Sequence, residues 1–328
     1  MQNQPDIGIL EEFRIDFLDC WRRLPNKGFF FFLLAAWVAV FQFFGNSTLG
    51  FIKSPSLLVW MYLAYMPSEM GDDGQGYLVP FVVLGLFWWK RKELVALPLK
   101  LWWPALFLVG FGMFLHVLGF GVQQVRISIV GLFVGIYGLM GLAWGPEWLR
   151  RSFFPFCLFV FAVPLGTLAQ SITFPLRLFV CRIVEAISHF ISIDVVRDGT
   201  ALKDPSGHYQ YEVAAACSGI TSLISTVLFA FVFGMVSFRA WWKRGVILAS
   251  AVPLALLGNV VRMLTIIIAA EIGGQEWGNK VHEGGPGRIF SLLPYIPVFI
   301  GIFVIAHWLR RPAKQKPVPA AGLEARTA

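Results

Sequence analysis

This sequence is short of charge. Only 14% of its 328 residues are Asp, Glu, Lys or Arg, against about a quarter in a typical soluble domain. That shortage excludes a soluble enzyme of ordinary composition. Cysteine is scarce too: there are four, none in a C-x-x-C pair, so neither a dithiol nor a zinc signature is present. No metal and no cofactor is expected. The net charge of +8 does not point to nucleic acid, because the basic residues cluster at the ends of apolar runs, the pattern that sets membrane orientation. No small-residue cleavage site follows the first apolar run closely, so that run reads as a retained helix and not a cleaved signal.

What the chain has instead is apolar surface: 57% hydrophobic residues, with 32 Phe and 13 Trp. The runs are continuous and not alternating, which indicates helices and not a barrel. The expected fold is all-α, a polytopic transmembrane bundle of about eight spans with an extracytoplasmic interfacial helix and a short hairpin. The spans fall at 29–44, 77–89, 101–120, 127–144, 152–169, 213–238, 246–272 and 289–309, and the short apolar stretch 55–66 reads as interfacial or re-entrant. Residues 1–28 form a cytoplasmic segment, 29–309 the membrane domain, and 310–328 a basic cytoplasmic tail expected to be disordered. Basic flanks such as "WRRLPNKG", "KRKE" and Arg310, Arg311, Lys314 and Lys316 put both ends in the cytoplasm. The loop carrying Glu69, Asp72 and Asp73 is then external, either a solvated loop or a contact for substrate or acceptor. Residues 171–190 mix Arg177, Arg182, Glu185 and His189 with apolar positions, as in a helix lying along the outer interface. Turn signals at Asp198-Gly199 and Ser206-Gly207 predict the hairpin.

Orientation then tests whether reactive residues share a face. At about 1.5 Å per residue, Cys217 lies roughly 30 Å, and Arg262 roughly 24 Å, from the inner boundary of its span. His282 falls in the external loop 273–287. Three reactive groups therefore reach the outer face. Arg262 stands alone as a charge between positions 246 and 270, with Asn259 one turn earlier on the same helix face. Such an arginine faces a protein interior or snorkels to headgroups. Cys217, in "AAACSGITSL", is either a small packed hydrophobe, as Cys157 and Cys181 read, or a nucleophile. At the first turn of a helix, with Arg or His nearby, its thiol would fall below the usual value of about 8.5. Gly219 would admit a substrate backbone. His282, beside Glu283, is either an exposed loop residue or an acid–base group. His208 competes for that role from the hairpin. His116, in mid-span, is placed to hydrogen-bond another helix, while His189 and His307 read as structural or interfacial.

With "AAACSGITSL", "GNVVRM" and "HEGGPG" in that order, preceded by "VVRDG…YEVAAACSG", the chain resembles the exosortase/archaeosortase family of membrane cysteine transpeptidases over roughly residues 71–309. The resemblance implies that Cys217 is the nucleophile and that Arg262 and His282 complete the catalytic set. Asn259, Ser218, Gly219, Glu212 and Glu283 then form the supporting or substrate-binding set. One motif departs from the family: where a Tyr-Ser-His-Gly-like motif often precedes "LVP", this chain has Asp73, Gly74 and Gln75 in the first three places. Gln75 cannot do a histidine's acid–base work and is not counted as catalytic. The implied partners are secreted proteins with a C-terminal sorting motif (PEP-CTERM-like), a transmembrane helix and a basic tail, together with membrane lipids and a lipid or glycan acceptor. The implied setting is the cytoplasmic (inner) membrane, with the active site facing the periplasm. The rival classes are a membrane transporter and an export-complex assembly protein that needs no thiol. No internal repeat favours the transporter.

Overall fold

The computed structural model describes residues 9–46, 54–66, 74–165, 167–212 and 220–310, and at 9, 75, 167–173, 212, 220–221 and 286–288 only the backbone. The chain divides into two compact units, Met1–Thr173 and Phe174–Ala328.

Among its described residues the first unit holds helices and no strand: α1 (Ile9–Arg23), α2 (Lys27–Phe43), α3 (Leu57–Ala64), α4 (Val79–Trp89), α5 (Arg91–Val95), α6 (Leu106–Gly121), α7 (Val125–Trp144) and α8 (Pro146–Cys157). α1 and α2 meet at 91°. The break falls at Pro25 and at Asn26, which adopts a left-handed φ of 53°. Two hydrogen bonds hold the turn: Asn26 donates to the Ala143 carbonyl at 3.1 Å, and the Trp144 indole donates to the Pro25 carbonyl at 2.9 Å. The pair α6–α7 packs backbone to backbone. A Cβ added at Gly112 would stand 2.7 Å from the Gly131 oxygen, and one at Gly131 would stand 2.6 Å from the Gly112 oxygen, so small residues set this contact. Trp37 of α2 lies over Gly135 and donates to the Leu132 carbonyl at 3.0 Å. His116 meets another helix, as expected: its Nε2 is 3.0 Å from the carbonyl of Phe44 at the end of α2.

The span expected over 152–169 does not form as one helix. α8 ends at Cys157 and the chain continues as a tighter 3-10 turn, Leu158–Ala162. Pro155 near the end of α8 lacks an N–H and crowds the preceding turn, which accounts for the short element.

The second unit holds most of α9 (Thr167–Phe190), then β1 (Val196–Asp198), β2 (Ala201–Lys203), β3 (Gln210–Glu212), α10 (Ile220–Ser237), α11 (Trp241–His282) and α12 (Tyr295–Arg310). The expected hairpin is present and gains a third strand, giving the antiparallel order β1-β2-β3. Leu202 and Tyr211 pair across β2 and β3, and both point into a core with Val180, Cys181 and Val184 of α9 and Met263, Ile266, Ile267 and Ala270 of α11. A second core joins Ala230 of α10, Ile247 and Ala251 of α11 and Val298, Ile302 and Ala306 of α12.

Four helical stretches are long and apolar enough to cross a bilayer: Trp103–Gly121, Val125–Trp144, Trp241–His282 and Ile289–Arg310; the bent α1–α2 pair makes up to five. The protein is thus a multi-pass helical membrane protein, but the expected count of about eight spans is not reached by length and composition among the described residues. α4 has 11 residues and α3 has eight, both too short to span alone.

Candidate functional site

α11 is two helices end to end. Its apolar part runs from the Trp241 end to Ile272. At Gly274 the backbone leaves the helix, with φ 73° and ψ −176°. That φ lies in the region only glycine adopts freely. A polar two-turn helix, 275–282, follows, carrying Gln275, Glu276, Asn279 and Lys280. The sequence reading of 273–287 as a loop is corrected here: His282 is the last residue of a helix, not a residue of a loop.

The bend at Gly274 decides the geometry. Residues twenty apart on a straight helix are about 30 Å apart. Here the Arg262 Nη2 donates to the His282 carbonyl at 3.3 Å, so the second helix folds back over the first. The structure therefore brings Arg262 and His282 together, through the backbone of His282. Glu283 follows directly and is exposed; its N–H donates to the Asn279 carbonyl at 2.8 Å and closes the helix.

His282 is half-buried and lies beyond the apolar stretch. Burial, and next the Arg262 guanidinium, hold its pKa below the ordinary value of 6.5, with the Glu283 carboxylate opposing them. The neutral imidazole, which can accept a proton, is therefore favoured near neutral pH. Its ring lies against Tyr211, with centroids 6.2 Å apart and planes 27° apart.

One turn before Arg262, Asn259 is buried and its Oδ1 accepts a hydrogen bond from the Ser222 hydroxyl at 3.1 Å. This ties the start of α10 to α11 at the level of the arginine. Cys217, Ser218 and Gly219 lie outside the described residues, as does the side chain of Glu212, whose backbone ends β3 paired with Ala201. The acidic positions Glu69, Asp72 and Asp73 also lie outside them.

His208 is not part of this arrangement. Its Nδ1 sits 2.9 Å from the Asp204 carboxylate and 2.7 Å from the Ser206 hydroxyl in the exposed β2–β3 turn. Hydrogen bonding, first from Ser206, pulls the Asp204 carboxyl down to about 2. Cys181 behaves as the packed residue it was expected to be: its thiol donates to the Thr200 carbonyl at 3.6 Å, and burial raises its pKa to about 11. Among the described residues no His, Cys, Asp and Glu group is arranged to hold a metal.

Three contributors escaped the sequence reading: Tyr211, Gln275 and Ser222. For Gln275 the available signal was the pair Gly273-Gly274 followed by Trp277 and Val281 at a helical interval, which marks a break and a new helix and not a loop.

The profile of one family, described as Transmembrane exosortase (Exosortase_EpsH), matches residues 67–300. That range takes in the Cys217, Arg262 and His282 motifs and most of the chain. No curated protein and no solved structure matches the chain significantly.

Proposed function

Because the chain belongs to the transmembrane exosortase family, we propose that it is a membrane cysteine transpeptidase acting on the C-terminal sorting signals of secreted proteins. The substrate ends in a short PEP-CTERM-like motif, an apolar helix and a basic tail. Its helix lies in the bilayer beside the enzyme, and the motif sits at the outer face of the inner membrane.

Cys217 is the nucleophile. His282 takes the thiol proton, and the thiolate sulfur attacks the carbonyl carbon of the scissile peptide. Arg262 supports the thiolate and the oxyanion of the tetrahedral intermediate through its guanidinium donors. As the intermediate collapses, the C–N bond breaks and the imidazolium returns the proton to the leaving amine. A thioester to Cys217 remains. A nucleophilic group on a lipid or glycan acceptor then attacks the thioester and regenerates the thiol; attack by water instead gives simple proteolysis. Asn259, Ser218, Gly219, Glu212 and Glu283 line or support this site. The finer topology belongs to the same proposal: about eight spans, both ends cytoplasmic, the site on the periplasmic side.

One observation carries the reading: the hydrogen bond from Arg262 to His282, made possible by the bend at Gly274. Tyr211 and Ser222, on either side of the Cys217 segment, contact the same helix that carries both groups. The deciding experiment co-expresses a secreted protein bearing such a tail with wild-type enzyme or Cys217→Ala. Loss of tail removal with normal membrane insertion is expected. Normal processing by the variant would overturn the proposal and favour a transporter or an assembly protein.

A further inference from the structure

We propose that Tyr211 is the positioning residue for His282: it holds the folded-back helix so that the imidazole stays half-buried beside Arg262. This rests on the reading of His282 as the acid–base group, but its physical core can be tested separately.

The helix 275–282 has only two turns, too short to persist without tertiary support. Gln275, Gly278 and His282 stand at i, i+3 and i+7, one face of that helix. Tyr211 meets all three. Its hydroxyl donates to the Gln275 carbonyl at 3.0 Å. At Gly278 an added Cβ would stand 1.9 Å from the tyrosine oxygen, so the hydroxyl comes this close to the helix backbone only because that position has no side chain. Its ring faces the imidazole at 6.2 Å. The strand adds a second tie: the Gln275 side-chain oxygen accepts from the Gln210 N–H at 2.9 Å. Tyr211 is itself fixed, 5% exposed, in the core shared by α9, the sheet and α11. Strand β3 thus sets where the helix lies, and the helix sets where the imidazole lies.

Burial is the leading cause of the lowered His282 pKa. Removing the aromatic ring lets water reach the imidazole, so its pKa must rise toward 6.5 and the acid limb of activity must move to higher pH. Tyr211→Leu keeps apolar volume and removes the ring; Tyr211→Phe keeps the ring and removes only the hydroxyl. Both are made in the full chain, purified in detergent and assayed with a peptide carrying the sorting motif. The His282 titration is read separately by imidazole NMR, its signal assigned by loss in His282→Gln. For Tyr211→Leu we expect kcat to fall about 10-fold or more with KM within about 2-fold. The acid limb and the NMR midpoint should both move up in pH. Tyr211→Phe should keep kcat within about 3-fold of wild type. A slower Tyr211→Leu enzyme with both midpoints unmoved means a merely structural tyrosine and overturns the proposal, as does an enzyme unchanged in both activity and NMR midpoint. Should Tyr211→Leu not accumulate, Gly278→Ala displaces the same ring from the other side and must raise the NMR midpoint; an unmoved midpoint overturns the proposal. An active His282→Ala enzyme would sink the catalytic reading alone, since the NMR midpoint of Tyr211→Leu still reports on positioning.

Discussion

In the N-terminal unit the buried histidine, His116, faces the Phe44 carbonyl and the Phe41 ring, and Ser128 and Asn46 extend the same network. In the C-terminal unit His282 is half-buried, leans on a tyrosine and has a guanidinium bound to its own carbonyl. The first histidine joins helices that approach closely over glycines. The second ends a helix that a single glycine has turned back on itself. Polarity inside a membrane protein thus has two uses. Around His116 it locks neighbouring helices together. At the Gly274 bend it joins groups twenty residues apart in the sequence.

Substitutions can break or sharpen that contrast. The largest effect is expected at the cysteines. Cys217→Ala should cut processing by about 10³-fold or more, as loss of a nucleophile does. Cys181→Ala, at a thiol that burial raises to about 11, should leave processing within about 2-fold. An immunoblot of the co-expressed substrate reads both, and equal loss at the two positions would erase the contrast. Next, Arg262→Gln should lower kcat by about 10²-fold. Arg262→Lys should recover little of it, because a single ammonium lacks the planar fork of donors.

In the N-terminal unit, Gly131→Leu forces a side chain into a space where even a Cβ would lie 2.6 Å from backbone. It should destabilise that unit by about 1–3 kcal/mol. Thermal unfolding followed by tryptophan fluorescence reads this, and activity per folded molecule should not change. The smallest effect concerns pH. Since the His282 pKa lies below 6.5, the imidazole stays neutral down to that pH, and the acid limb of kcat/KM should lie below it. Removing the Arg262 charge, the second cause of the depression, should move the His282 titration upward. A downward movement, read by NMR, would contradict the electrostatics described for the site.

Much of the fold was legible because its causes are local. Continuous apolar runs gave α6, α7 and the long part of α11 to within about five residues at each end, and Gly and turn residues marked the sheet. The failures share another cause. At 152–169 hydropathy alone suggested a span, but Pro155 ended the helix early. At 273–287 a glycine pair suggested a loop, although the polar residues after it carry a helical interval and find a surface to pack on. Arg262 and Asn259 could be singled out because charge and amide stand alone in apolar sequence. Tyr211 and Ser222 could not, because nothing in their neighbourhood sets them apart from other strand and helix residues.

Composition and the order of three motifs were enough to make this chain a helical membrane protein of the transmembrane exosortase family, since apolar runs and basic flanks act residue by residue. Only the tertiary structure decided that Arg262 meets His282, and that it does so through a carbonyl. That meeting depends on one backbone torsion at Gly274 and on a tyrosine packed against Gly278. A torsion can redirect everything that follows it, and a long-range contact leaves no periodic trace in the chain.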